Sequence, residues 1–81
     1  MKLRIWSDYN AVGDGGWHFC LRYNEKLLDE VAAELKLSEG QAVVLYYEDS
    51  ADEFESDAVI SFRHGQWMAL PDESSFRRLR G

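Results

Sequence analysis

Lys2 to Trp6 alternates in polarity, with Leu3 and Ile5 on one side and Lys2 and Arg4 on the other. That period of two predicts a half-buried strand. Ser7 to Gly16 reads as a loop, broken by Asn10, Gly13, Asp14, Gly15 and Gly16. Alternation returns from Trp17 to Tyr23, with Trp17, Phe19, Leu21 and Tyr23 on one face and His18, Cys20 and Arg22 on the other. The two runs predict a hairpin with a long, glycine-rich loop.

From Asn24 to Leu37 the period becomes helical. Leu27, Leu28, Val31 and Leu35, flanked by Ala32, form one stripe. Asn24 suits the N-cap, Tyr23 and Leu28 stand at the positions of a hydrophobic staple, and Gly40 suits a helix end. Gln41 to Tyr47 is a continuous apolar run rich in β-branched and aromatic residues, which predicts a strand covered on both faces. Asp57 to Arg63 alternates again, with Ala58, Ile60 and Phe62 on one face. A His64-Gly65 turn would return the chain through Gln66 to Leu70, setting Phe62 opposite Trp67 and Ile60 opposite Ala69. Pro71 ends that strand. Asp72 is expected to cap a last helical turn that folds Phe76 and Leu79 back on the core, with Arg77, Arg78 and Arg80 near its negative end.

The order of elements is therefore ββαβββ, an α+β domain spanning residues 1–81. Five short strands in so small a chain must curl to bury their faces, which predicts a strongly curled antiparallel sheet, an SH3-like barrel, with the helix inserted between the second and third strands. A flat mixed sheet backed by the helix is the alternative. The run Val44-Leu45-Tyr46-Tyr47-Glu48-Asp49, followed by Asp52-Glu53-Phe54, resembles the aromatic-acidic opening of SH3 domains. The tandem tryptophans of that family and its C-terminal Pro-to-Tyr groove motif have no counterpart here.

Composition agrees with one small domain. A chain of 81 residues leaves much of its surface exposed on folding, so large core side chains are needed, and three Trp, four Tyr and four Phe are present. Cys20 is the single cysteine, which excludes an internal disulfide and suits a reducing compartment. No N-terminal apolar run has the length of a signal peptide and none approaches a membrane span, so a cytoplasmic protein is expected.

Charge changes the picture more. The net charge is −6, and it is uneven. Six carboxylates, Glu48, Asp49, Asp52, Glu53, Glu55 and Asp57, fall within residues 48–57, and residues 41–62 contain no Lys or Arg. Such a block repels phosphate backbones and disfavours direct nucleic-acid binding. It sits beside Tyr47 and Phe54. Acids mixed with aromatics suit a basic protein partner, through steering and cation–π contacts. The carboxylates require compensation, either from Arg63, Arg77, Arg78 and Arg80 of the same chain or from a partner, and the partner is the expected source.

Other chemistry finds less support. His18-x-Cys20 places two ligand-type side chains on one strand face, but a zinc site needs three or four, and a Cys–His nucleophile needs an orienting group and an oxyanion site. Cys20 is expected to be a small buried residue and His18 a surface one. The acidic block lacks the EF-hand spacing and its glycine, so no metal site is expected. Gly13-Asp14-Gly15-Gly16 does not follow a strand, opens no helix and has no Lys, which excludes a phosphate loop. No set of residues supplies nucleophile, base and stabiliser together. The sequence thus points to a non-catalytic interaction module without a cofactor. Its partner-binding residues would be Tyr47, Glu48, Asp49, Asp52, Glu53, Phe54, Glu55 and Asp57. The alternative is a small acidic inhibitor that masks the nucleic-acid site of a basic enzyme or toxin.

Overall fold

The computed structural model describes residues 2–81. Its strands are β1 (Arg4–Ser7), β2 (Leu21–Tyr23), β3 (Lys26–Leu27), β4 (Ala42–Glu48), β5 (Glu53–Arg63), β6 (Gln66–Pro71) and β7 (Arg77–Arg80), and its helix is α1 (Leu28–Leu35). All seven strands belong to one mixed sheet in the order β3-β2-β1-β4-β5-β6, with β7 also on β5.

This overturns the five-stranded SH3-like barrel. The sheet is open, with β3 at one end and β6 at the other, and among the described residues no strand ladder joins them. Its pairing is not purely antiparallel either, because β1 and β4 are parallel neighbours. Parallel neighbours need a long crossover, which residues 8–41 supply through β2, β3 and α1. With α1 touching β2, β3 and β6, a helix covers the apolar face that curling would otherwise have to bury.

Local corrections explain the extra strands. Asn24 and Glu25 both have positive φ, 51° and 66°, and form the turn between β2 and β3, where Tyr23 pairs with Lys26. Asn24 is therefore a turn residue rather than the N-cap. The helix starts at Leu28 behind Leu27, which makes no side-chain cap. It ends at Lys36 in the left-handed region, four residues before Gly40. At the C-terminus Asp72 caps a short 3-10 turn, Glu73–Ser75, by accepting from the Ser74 N–H at 3.0 Å. The chain then continues as a strand, not a helix.

The β5–β6 hairpin matches its sequence pattern. Ile60 lies opposite Ala69 and Phe62 opposite Trp67. His64 and Gly65 have φ of 54° and 80°, the two positive values that a type I′ turn requires. Phe62 nonetheless stays 52% exposed, because the hairpin tip runs past the core.

Alternation gives the sheet an inner and an outer face. Ile5, Val43, Leu45, Ala58, Ile60 and Ala69 point inward and pack with Leu21, Leu28 and Val31. Each fully buried aliphatic side chain contributes roughly 1.5–3 kcal/mol. The free edge of β5 is shared. β6 pairs along Ala58–Arg63 and β7 along Glu53–Glu55. The 3-10 turn between them is pinned at Asp57, whose N–H donates to Ser75 Oγ at 2.8 Å and whose carbonyl accepts from the Asp72 N–H at 2.8 Å.

Candidate functional site

The inward positions of β1 and β5 do not stay apolar. Ser7 follows Ile5 in phase, Ser56 precedes Ala58 in phase, and both are buried. A buried hydroxyl needs a partner, and each has one. Ser7 Oγ lies 2.7 Å from His18 Nδ1. Ser56 Oγ lies 2.9 Å from Tyr9 Oη, which donates to the Leu45 carbonyl at 3.1 Å.

Proton accounting orients both pairs. The single proton of Tyr9 goes to the carbonyl, so Ser56 donates to Tyr9. Among the described residues the only side-chain partner of Ser7 Oγ is Nδ1, and a buried hydroxyl that merely accepted would strand its own hydrogen. Ser7 therefore donates to Nδ1, and the neutral imidazole carries its proton on Nε2. Burial pushes the His18 pKa down, against an opposing pull from Asp8, which favours this neutral form. Nε2 has no hydrogen-bond partner among the described residues. No described side-chain nitrogen or oxygen shut away from solvent lacks one, so Nε2 keeps contact with solvent, and His18 lines the adjacent cavity.

That cavity has a volume of about 380 Å³ and is lined by Tyr9, His18, Ser56, Pro71, Glu73 and Phe76. His18, only 4% exposed, and Ser56 form its floor, while Phe76, 46% exposed, and Glu73 form its rim. The Tyr9 ring meets the His18 and Phe54 rings edge-on, each at 4.9 Å between centroids. Phe54 stacks on Tyr47 at 5.3 Å and touches Phe76 at 5.2 Å. A second cleft of about 230 Å³, lined by Tyr9, Asn10, Tyr47, Asp49, Asp52 and Phe54, adjoins the first across Tyr9.

The acidic block is thus divided. Tyr47, Asp49, Asp52 and Phe54 come together at this groove. Asp49 sits in the β4–β5 turn and accepts from the Ala51 and Asp52 N–H groups at 2.8 and 2.7 Å. Those two bonds, that from Asp52 first, hold its carboxyl below the usual range. Glu53, Glu55 and Asp57 alternate onto the outer face, and Glu48 stands exposed at the end of β4.

Four of the six carboxylates, Asp52, Glu53, Glu55 and Asp57, are compensated within the chain. Arg77 reaches Glu55 at 2.7 Å and Asp57 at 3.3 Å, and Arg4 reaches Glu55 at 3.0 Å. Arg78 meets Asp52 at 2.7 Å and Arg80 meets Glu53 at 3.7 Å. Burial pushes Glu55 up, but hydrogen bonds from Arg77 and Arg4 outweigh it and leave the carboxyl below its ordinary value. Arg63, by contrast, lies over the Trp17 ring at 4.6 Å. Because β7 is a strand beside β5, it delivers Arg77 and Arg80 to the acids of β5 and Arg78 to Asp52 in the turn before it.

Tyr9, His18, Ser56, Pro71, Glu73 and Phe76 were not among the partner-binding residues expected from sequence. The signal that reaches them is the pair of serines at inward phases, Ser7 and Ser56. The expectation of a surface His18 is corrected. The chain enters β2 only at Leu21, and before it His18 forms isolated bridges to Val12 and Ala69 and is itself buried. Cys20 is half-exposed and unpaired, and lies outside the His18 cavity. Among the described residues no group of three or more His, Cys, Asp or Glu is placed to hold a metal ion. No described helix is long and apolar enough to cross a membrane.

No family model matches the chain, and no match is found among curated proteins or among solved structures.

Proposed function

We propose that this is a non-catalytic interaction domain that receives a basic segment of a partner protein along the groove between the β4–β5 turn and Phe76. The observation that carries the reading is the junction of an open aromatic cavity with an acidic cleft, Asp49 and Asp52 at one end and Glu73 at the other. Carboxylates at a groove rim steer a basic partner and set its orientation. Exposed rings beside them supply apolar area and cation–π faces. Arg78 lies 5.7 Å from the Phe54 ring centroid while paired to Asp52, and a partner arginine would make a contact of that type. The absence of catalysis is part of the proposal. Ser7, the partner of the His18 ring, is fully buried, out of reach of a substrate. A cytoplasmic location is also part of it, supported by the lone cysteine.

The test is capture of lysate proteins by immobilised wild type and by an Asp52→Asn/Glu73→Gln variant at low and high salt. Salt-sensitive capture by wild type that the variant loses is the expected result. Equal capture by both proteins at low salt contradicts the proposal.

A further inference from the structure

We propose that the cavity between Tyr9, His18 and Phe76 is a receptor for a phenolic side chain, a tyrosine whose ring packs between Tyr9 and Phe76 and whose hydroxyl meets His18 Nε2. The source of that tyrosine, a basic segment of a partner, rests on the function proposed above. The choice of a phenol rests on the polar inventory of the cavity itself.

The floor offers one unfilled donor. Tyr9 spends its proton on the Leu45 carbonyl and Ser56 donates to Tyr9; by the same accounting Ser7, 2.7 Å from His18 Nδ1, donates to it. The His18 Nε2–H remains, on a ring that is 4% exposed. A ligand that displaces water from this donor must return an acceptor, or it forfeits the bond in a desolvated place. Phenylalanine fills the space and returns nothing. Lysine, arginine and tryptophan bring only donors. Aspartate and glutamate bring an acceptor but face Glu73 and a chain of net charge −6. Asparagine and glutamine bring both kinds of group but no ring for the Tyr9 and Phe76 walls. A neutral imidazole splits donor and acceptor between two sides of its ring. A phenol carries both on one oxygen at the far tip of a flat apolar body. That oxygen would accept from Nε2 and still carry a proton for an acceptor, of which the cavity lining offers Ser56 Oγ. At about 380 Å³ the cavity is near the small end of ligand sites, which run from roughly 300 to 1,000 Å³.

The experiment compares two pairs of probes by calorimetry on the full chain. One pair is N-acetyl-tyrosinamide and N-acetyl-phenylalaninamide. The other is a pentapeptide with tyrosine at its centre and two arginines on each side, and its phenylalanine counterpart. Each tyrosine probe is expected to bind about tenfold or more tightly than its phenylalanine partner. His18→Phe should abolish that preference. Phe76→Ala, at a half-exposed site, should weaken both probes while keeping the preference. If His18→Phe does not fold, a shift of the His18 Nε2 resonance on adding N-acetyl-tyrosinamide, absent with the phenylalanine analogue, carries the same point. Equal binding of the tyrosine and phenylalanine probes overturns the phenol site, and it leaves the basic-partner reading standing if both peptides still bind with salt sensitivity. A tyrosine preference that the flanking arginines do nothing to strengthen supports the phenol site and removes the basic partner. No binding of any probe overturns both.

Discussion

The inner face of the sheet has two halves that differ in what covers them. Over Ile5, Val43, Leu45 and Ile60 it is closed by Leu28 and Val31 of α1, and the buried members of that cluster are aliphatic, with Tyr23 and Trp67 packed against them only in part. Around Ser56 and Phe54 the lid is a loop and a strand end, supplying Tyr9, His18 and Phe76, and a cavity remains between them. Aliphatic side chains interdigitate without direction, so a stripe of them closes completely. Rings joined to buried hydroxyls are held at fixed angles by their hydrogen bonds. The edge-on contacts of Tyr9 with His18 and Phe54 keep the walls apart instead of letting them collapse. Stability is thus concentrated in the first half and recognition in the second.

Substitutions should separate the halves. Val31→Asp is expected to have the largest effect, because it buries an unpaired charge under α1. Leu45→Ala, at a site with no exposure, should cost about 2–5 kcal/mol. Both are read from thermal or urea melts. Phe76→Ala, in the open half, should leave the melt nearly unchanged while weakening ligand binding. If it destabilised as much as Leu45→Ala, the open half would be core rather than site.

An intermediate effect belongs to the acids that meet the arginines of β7 and Arg4. Neutralising Asp52, Glu53 and Glu55 together, to Asn or Gln, should lower stability by no more than about 1 kcal/mol per pair, since the Arg78, Arg80, Arg77 and Arg4 contacts are partly exposed. A rise in stability would mean that self-repulsion among the acids outweighs those contacts. Glu55 also predicts a pH dependence. Its folded pKa is depressed, so its contribution is complete above the ordinary value of 4.5 and is lost as pH falls through the lower folded value. Acid melts of Glu55→Gln should therefore lose less stability below pH 4.5 than wild type does.

How much of this was legible in the sequence follows from the range of each signal. The Ala58–Leu70 hairpin was readable because alternation and a two-residue turn are local and together fix the register. The stripe of α1 was readable for the same reason, and Leu28 and Val31 are its buried members. Asn24 misled because asparagine favours both N-caps and left-handed turns, and Glu25 gave no sign of a positive φ. β7 was hidden because Arg77-Arg78-Leu79-Arg80 has neither alternation nor strand propensity. It pairs with β5 across the chain, and its arginines find their acids on β5 and in the turn before it. The parallel pairing of β1 with β4 is longer in range still, and without it the sheet was expected to curl. At the site, the acidic and aromatic residues around Asp49 were visible from composition. The cavity beside them was not, because it depends on which way the His18 ring turns.

That ring is the most direct point of test. The account requires a neutral His18 with its proton on Nε2 and with Nδ1 accepting from Ser7. Long-range proton–nitrogen correlation spectra of the imidazole at neutral pH report the protonation of each nitrogen. The expected spectrum shows a protonated Nε2 and an unprotonated Nδ1. A proton on Nδ1, or on both nitrogens, would take the donor from the floor of the cavity or add a charge there, and would contradict the account.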